Sequence, residues 1–131
     1  LDIFQSKAFW NLSKNLELFK NTNEIVCKLS LPITNASEFL NKFSNDIKYF
    51  IDWAGGLIWL STKDLETISK MRIFSVKNNG HLTIYKSDDN YRRTEEFLTC
   101  GDTNFKILSS KIKESFDPNL ILNPGKMYAG I

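Results

Sequence analysis

Residues 47 to 61 read IKYFIDWAGGLIWLS, two runs rich in aromatic and β-branched side chains separated by Ala54-Gly55-Gly56. Such runs around paired glycines predict an antiparallel hairpin, because glycine reaches the positive φ angles of a tight turn without steric cost. The neighbouring segments extend the pattern. Upstream, EIVCKLSL (24–31) alternates apolar and polar residues. Ile25, Cys27, Leu29 and Leu31 fall on one face, as in a half-buried strand, and Pro32 ends it. Asn35 or Ser37 is placed to cap a short helix carrying Phe39, Leu40 and Phe43, with Asn45-Asp46 as the following turn. Downstream, Asp64 caps a helix through Leu65, Ile68 and Met71 to about Val76, and Asn78-Asn79-Gly80 stops it. HLTIYK (81–86) is a fourth strand.

The middle order is therefore strand, helix, strand, strand, helix, strand, the split βαβ pattern of an α+β, ferredoxin-like antiparallel sheet covered by helices. Two further elements flank it. Leu1, Phe4, Ala8, Leu12, Leu16 and Phe19 recur at steps of three and four, which predicts an extra N-terminal amphipathic helix over 1–19, ended by Asn21-Thr22-Asn23. Residues 87–101 are polar and poorly periodic. Asp102 or Thr103 then starts a C-terminal helix with Phe105, Leu108, Ile112 and Phe116 along one side. Beyond it lies a turn-rich tail whose Pro118 and Pro124 fix their φ angles, so that an extended run is expected. The chain is expected to be one domain over 1–131. It opens at Leu1, directly in a helical pattern and without Met, and is expected to be part of something longer.

Composition narrows the classes of function. With 42% hydrophobic and 13% aromatic residues, 131 residues suffice for a packed core, and disorder is excluded. A net charge of +2, from 17 basic and 15 acidic side chains that do not cluster, argues against a nucleic-acid partner. Cys27 and Cys100 lie far apart and outside any CxxC or Cys/His spacing, so both are expected to be reduced thiols rather than metal ligands. No run approaches the roughly 20 apolar residues that span a bilayer, and no signal peptide is visible. A cytoplasmic location is expected.

Little in the residues themselves points to catalysis. His81 is the sole histidine, no nucleophile sits in a recognisable elbow, and no GxGxxG or Walker loop occurs. Asp88-Asp89 and Glu95-Glu96 fall in polar segments that water would solvate. Trp10, Trp53 and Trp59 with Tyr49, Phe50 and Tyr85 either fill the core or form an aromatic surface for a planar ligand, and a ring stack on the open sheet face would serve both. Lys86, Arg92 and Arg93 are either a solvated loop or a site for a carboxylate.

One longer match adds to this. Phe116 to Lys126, FDPNLILNPGK, resembles the FDPxxILNPGK ending of FAD-linked oxidases of the vanillyl-alcohol-oxidase type, where the motif closes a C-terminal cap domain. Three more segments resemble the glycolate oxidase GlcE branch of that family. CKLSLP (27–32) is similar to its WRLSLP strand, IDWAGGLIWL (51–60) to its DWGGAxxWL hairpin, and NGHLTI (79–84) to its GGHxTL strand. The chain departs at Cys27, where an aromatic is usual, and at Ala54 and Asn79, where Gly is usual. The resemblance implies the cap of an FAD-dependent 2-hydroxy-acid oxidoreductase oxidising glycolate to glyoxylate with the flavoprotein GlcD and the iron–sulfur protein GlcF. FAD is then expected in the full-length protein, joined to its own N-terminal FAD-binding domain, and not in this chain alone. The implied flavin- or substrate-facing residues are Trp53, Trp59, His81 and Tyr85, and the implied cofactor contacts are Asn123, Gly125 and Lys126. A subunit-interaction module, or the cap of another 2-hydroxy-acid or sugar-acid dehydrogenase, is the rival expectation.

Overall fold

The computed structural model describes residues 2–89, 91 and 103–124. Its strands are β1 (Ile25–Ser30), β2 (Lys48–Asp52), β3 (Leu57–Thr62) and β4 (His81–Lys86), and its helices α1 (Ile3–Lys14), α2 (Ala36–Phe43), α3 (Leu65–Lys77) and α4 (Thr103–Phe116). The strands form one antiparallel sheet in the order β2-β3-β1-β4, the ferredoxin-like order with β1 and β3 inside. No helix among the described residues is long and apolar enough to cross a membrane.

The alternation in β1 governs the layering. Cys27 and Leu29 are wholly buried on the face that α2 and α3 cover, with Ile58 and Leu60 from β3 and Leu82 and Ile84 from β4 beside them. From the helices, Phe39, Phe43 and Phe74 interlock with ring centroids 4.9 to 5.9 Å apart, edge to face or tilted as aromatic quadrupoles prefer. Ile68 and Met71 complete the layer. Cys27 is a free thiol within this core, and burial pushes its pKa up to about 12, which makes it inert. Cys100 lies outside the described residues.

The caps follow the sequence closely at α3 and less closely at α2. Asp64 accepts from the backbone N–H groups of Glu66 (3.1 Å) and Thr67 (3.0 Å), and from the Thr67 hydroxyl, which lowers its pKa and holds it ionised at the positive helix end. Asn35 stands at the N-cap of α2 but makes no capping bond. Its amide instead donates to Asn78 Oδ1 at 2.7 Å, tying the start of α2 to the end of α3.

Two turns carry backbone that few side chains accept. At the β2–β3 connection Trp53, Ala54 and Gly55 all have positive φ (50°, 52° and 102°), while Gly56 does not. The paired glycines therefore supply only part of the turn. At the end of α3 the residue with positive φ is Asn79 (54°), and the N–H of Gly80 closes the helix on the Ser75 carbonyl at 2.8 Å. Gly80 is required for a different reason: a Cβ there would lie 2.4 Å from the Ser30 carbonyl oxygen and 2.5 Å from Leu31 Cδ2.

The terminal helices differ from expectation. The helix expected over 1–19 ends at Lys14, and Leu16 turns left-handed (φ 51°) before a 3₁₀ turn at Glu17–Phe19. Of the five spaced apolar residues that are described, only Phe19 reaches a buried position, and Phe4 is 83% exposed. In α4 the expected apolar row is present, yet Phe105, Leu108, Ile112 and Phe116 are all exposed.

Gly80→Ala tests the close approach of β4 and β1. The new methyl meets the Ser30 carbonyl, which cannot move aside, as well as the Leu31 side chain, so a loss of about 2–3 kcal/mol is expected in urea unfolding, whereas an unchanged midpoint would mean that the strands sit farther apart.

Candidate functional site

Among the described residues no α-helix packs across the second face of the sheet. It is lined by the side chains that alternate with the core residues: Lys28 and Ser30 from β1, Phe50 from β2, Trp59 from β3, and His81, Thr83 and Tyr85 from β4. Four rings run across it. Phe19 stacks on Phe50 at 5.9 Å, Phe50 on Trp59 at 6.5 Å, and Trp59 meets Tyr85 edge-on at 5.1 Å. Lys28, on the central strand, holds its Nζ 5.9 Å from the Trp59 ring centroid, within cation–π reach.

One end of the shelf is closed. Phe19 is 2% exposed, and the segment after it is clasped to the sheet, with the Lys86 ammonium donating to the carbonyls of Lys20 (3.4 Å) and Thr22 (3.1 Å). Ser61 donates to Glu24 at 2.6 Å and Lys48 does so at 3.2 Å. The Ser61 hydrogen bond, more than Lys48, holds the Glu24 carboxyl below its ordinary pKa. Toward Tyr85, 58% exposed, the shelf is open.

Of the residues expected to face a flavin, the structure brings Trp59, His81 and Tyr85 onto this one face. Trp53 stands apart, 71% exposed in the β2–β3 turn. The two roles expected for the aromatic residues, core filling and an aromatic surface, divide by residue. Tyr49 packs against the helix-side core, and Phe50, Trp59 and Tyr85 form the shelf. Trp10 does neither, lying on α1 against Phe9. Lys86 is engaged as a clasp rather than as a carboxylate site, and Arg92 and Arg93 lie outside the described residues. The sequence points to Phe19 only as part of a helix face and does not point to Lys28. For Lys28 the signal was present in the alternation of EIVCKLSL, which sets it opposite the buried Cys27 and Leu29.

The C-terminal tail closes on itself. Asp117 is 7% exposed and accepts from Lys113 Nζ and from the N–H groups of Ile121 (3.0 Å) and Leu122 (2.8 Å). Lys113 also donates to the Leu122 carbonyl. Leu120 and Asn123 take positive φ (52° and 47°), so the run expected to be extended is a tight turn around one carboxylate. The two prolines restrict single residues but do not outweigh three donors converging on Asp117. Asn123 is exposed on this turn, while Gly125 and Lys126 lie outside the described residues.

The chain matches no family model, no curated protein and no solved structure.

Asp117 makes the tail turn pH-dependent. The Lys113 ammonium, followed by the two backbone N–H groups, holds its carboxyl below the ordinary value. A depressed pKa in the folded state means that the turn is stabilised above about pH 4, the unfolded value, and released as pH falls through the folded one. Protection of the Ile121 and Leu122 amides, taken relative to their intrinsic exchange rates, should be present at pH 6, lost once acid protonates Asp117, and absent at every pH in Asp117→Asn; equal protection in the variant and the wild type would contradict this role.

Proposed function

We propose that this chain is the cap domain of an FAD-dependent 2-hydroxy-acid oxidoreductase of the glycolate oxidase type, resembling GlcE, which oxidises glycolate to glyoxylate in the cytoplasm with GlcD and GlcF as partner subunits. The observation that carries the reading is the run FDPNLILNPGK at 116–126. Its Asp117 is the centre of the tail turn, which supplies a physical reason for that residue order. The two positions where the resembling proteins usually carry Gly, Ala54 and Asn79, both adopt positive φ here, as a glycine position would.

In this reading the flavin belongs to an N-terminal FAD-binding domain of the full-length protein, and the open sheet face roofs it. Bound FAD would supply the two-electron acceptor for the substrate's hydride. Trp59 and Tyr85 wall the site and exclude water, and His81, exposed on the same face, presents an imidazole to the substrate. Asn123, Gly125 and Lys126 contact the cofactor from the tail. A second reading, a non-catalytic module that joins the subunits, is favoured by the exposed apolar rows of α1 and α4. It requires the isolated chain to hold a partner subunit in the absence of flavin.

His81→Ala in the full-length protein should alter the flavin absorption spectrum and lower turnover by about tenfold, the equivalent of one hydrogen bond. Unchanged spectra and rates would remove His81 from the site.

A further inference from the structure

Lys28 is placed as few lysines are. It occupies the middle of a central strand, half-buried, on the face that carries the row of rings. Of the other described lysines, Lys20, Lys48, Lys70 and Lys113 each pair with a carboxylate, Lys86 donates to two carbonyls, and Lys42 lies over the Phe43 and Phe74 rings on the helix side. Among the described residues no carboxylate lies within ion-pair distance of Lys28, whose one contact is the Trp59 ring. Directly across from it on β4 is Thr83, and directly across on β3 is Trp59. Such facing pairs hold their Cβ atoms about 5 Å apart. The Thr83 hydroxyl also makes no hydrogen bond among the described residues. The next polar pair on this face is Ser30 and His81, two residues along each strand and thus about 7 Å away.

A free ammonium and a free hydroxyl at facing positions of β1 and β4, on a face that also bears Trp59 and Tyr85, fit a compact planar anion with two acceptor oxygens. We propose that Lys28 and Thr83 form the seat of the substrate's carboxylate. The proposal rests on the flavin-roof reading and names the substrate feature that this face recognises. The ammonium takes one oxygen and the hydroxyl donates to the other, both in charge-assisted bonds. The Trp59 ring walls the seat on one side, and the rest of a small 2-hydroxy acid extends toward His81. Lys28 is here a substrate-binding group and moves no proton.

The test uses the full-length protein with glycolate as substrate and acetate as an inhibitor that has the carboxylate but no hydroxyl. Lys28→Met should raise the KM for glycolate and the inhibition constant of acetate by a common factor of about 10–100, with kcat within about twofold, the loss expected for one hydrogen bond to a charged group. Lys28→Arg should restore most of both, and Thr83→Val, which keeps the shape, should raise both by about fivefold. Unchanged constants in Lys28→Met and Thr83→Val would overturn the seat while leaving the oxidase reading intact. Should the protein carry no flavin and leave glycolate unoxidised, the oxidase reading fails. The seat is then tested by itself, in an acetate titration followed at the backbone amides of Lys28 and Thr83. Saturable shifts that Lys28→Met abolishes would support it, and their absence in the wild type would overturn it.

Discussion

Everything in this domain depends on β1 being paired on both edges. With β3 on one side and β4 on the other, its side chains have no freedom to choose a face: Cys27 and Leu29 must enter the core, and Lys28 must leave it. A one-residue slip would bury a lysine and expose the two best-packed residues of the strand. The helix layer follows from the first half of that commitment. The candidate site follows from the second.

The two faces of the sheet are stabilised differently. On the helix side, interlocked rings and aliphatic chains form one cluster from which water is excluded. On the other side, Val26, Leu57 and Ser61 are buried at the sheet surface, and the buried Phe19 anchors a row of rings that opens toward the exposed Tyr85. Apolar surface left open beside an unpaired cation is the composition of a surface that meets a ligand or a partner. The exposed rows of α1 and α4 extend the same imbalance to the ends of the domain.

The central fold was legible because its signals are local. Period-two alternation in 24–31 and 81–86, the Asp64 cap and the Asn78-Asn79-Gly80 stop each act within a few residues, and each element lies within one or two positions of expectation. The misreadings have a common cause, competition from contacts distant in sequence. Asn35 has a capping side chain by type, but Asn78 claims it from 43 residues away. The N-terminal periodicity runs on to Phe19, yet burial of Phe19 against Phe50 takes the chain out of the helix at Leu16. The prolines of the tail suggested extension, and one buried carboxylate turned the segment instead. Of the site, the aromatic types were visible and their grouping was not, since face membership of Trp53 depends on a turn geometry in which it, Ala54 and Gly55 all have positive φ.

The claim on which the rest stands is that the open sheet face covers a flavin. Side-chain oxidation by hydroxyl radicals, measured on the full-length protein before and after FAD is removed, addresses it most directly. The account predicts that Trp59 and Tyr85 are shielded with FAD bound and oxidised once it is gone, while Trp10 on α1 is oxidised equally in both states. Equal oxidation of Trp59 and Tyr85 with and without FAD would contradict it.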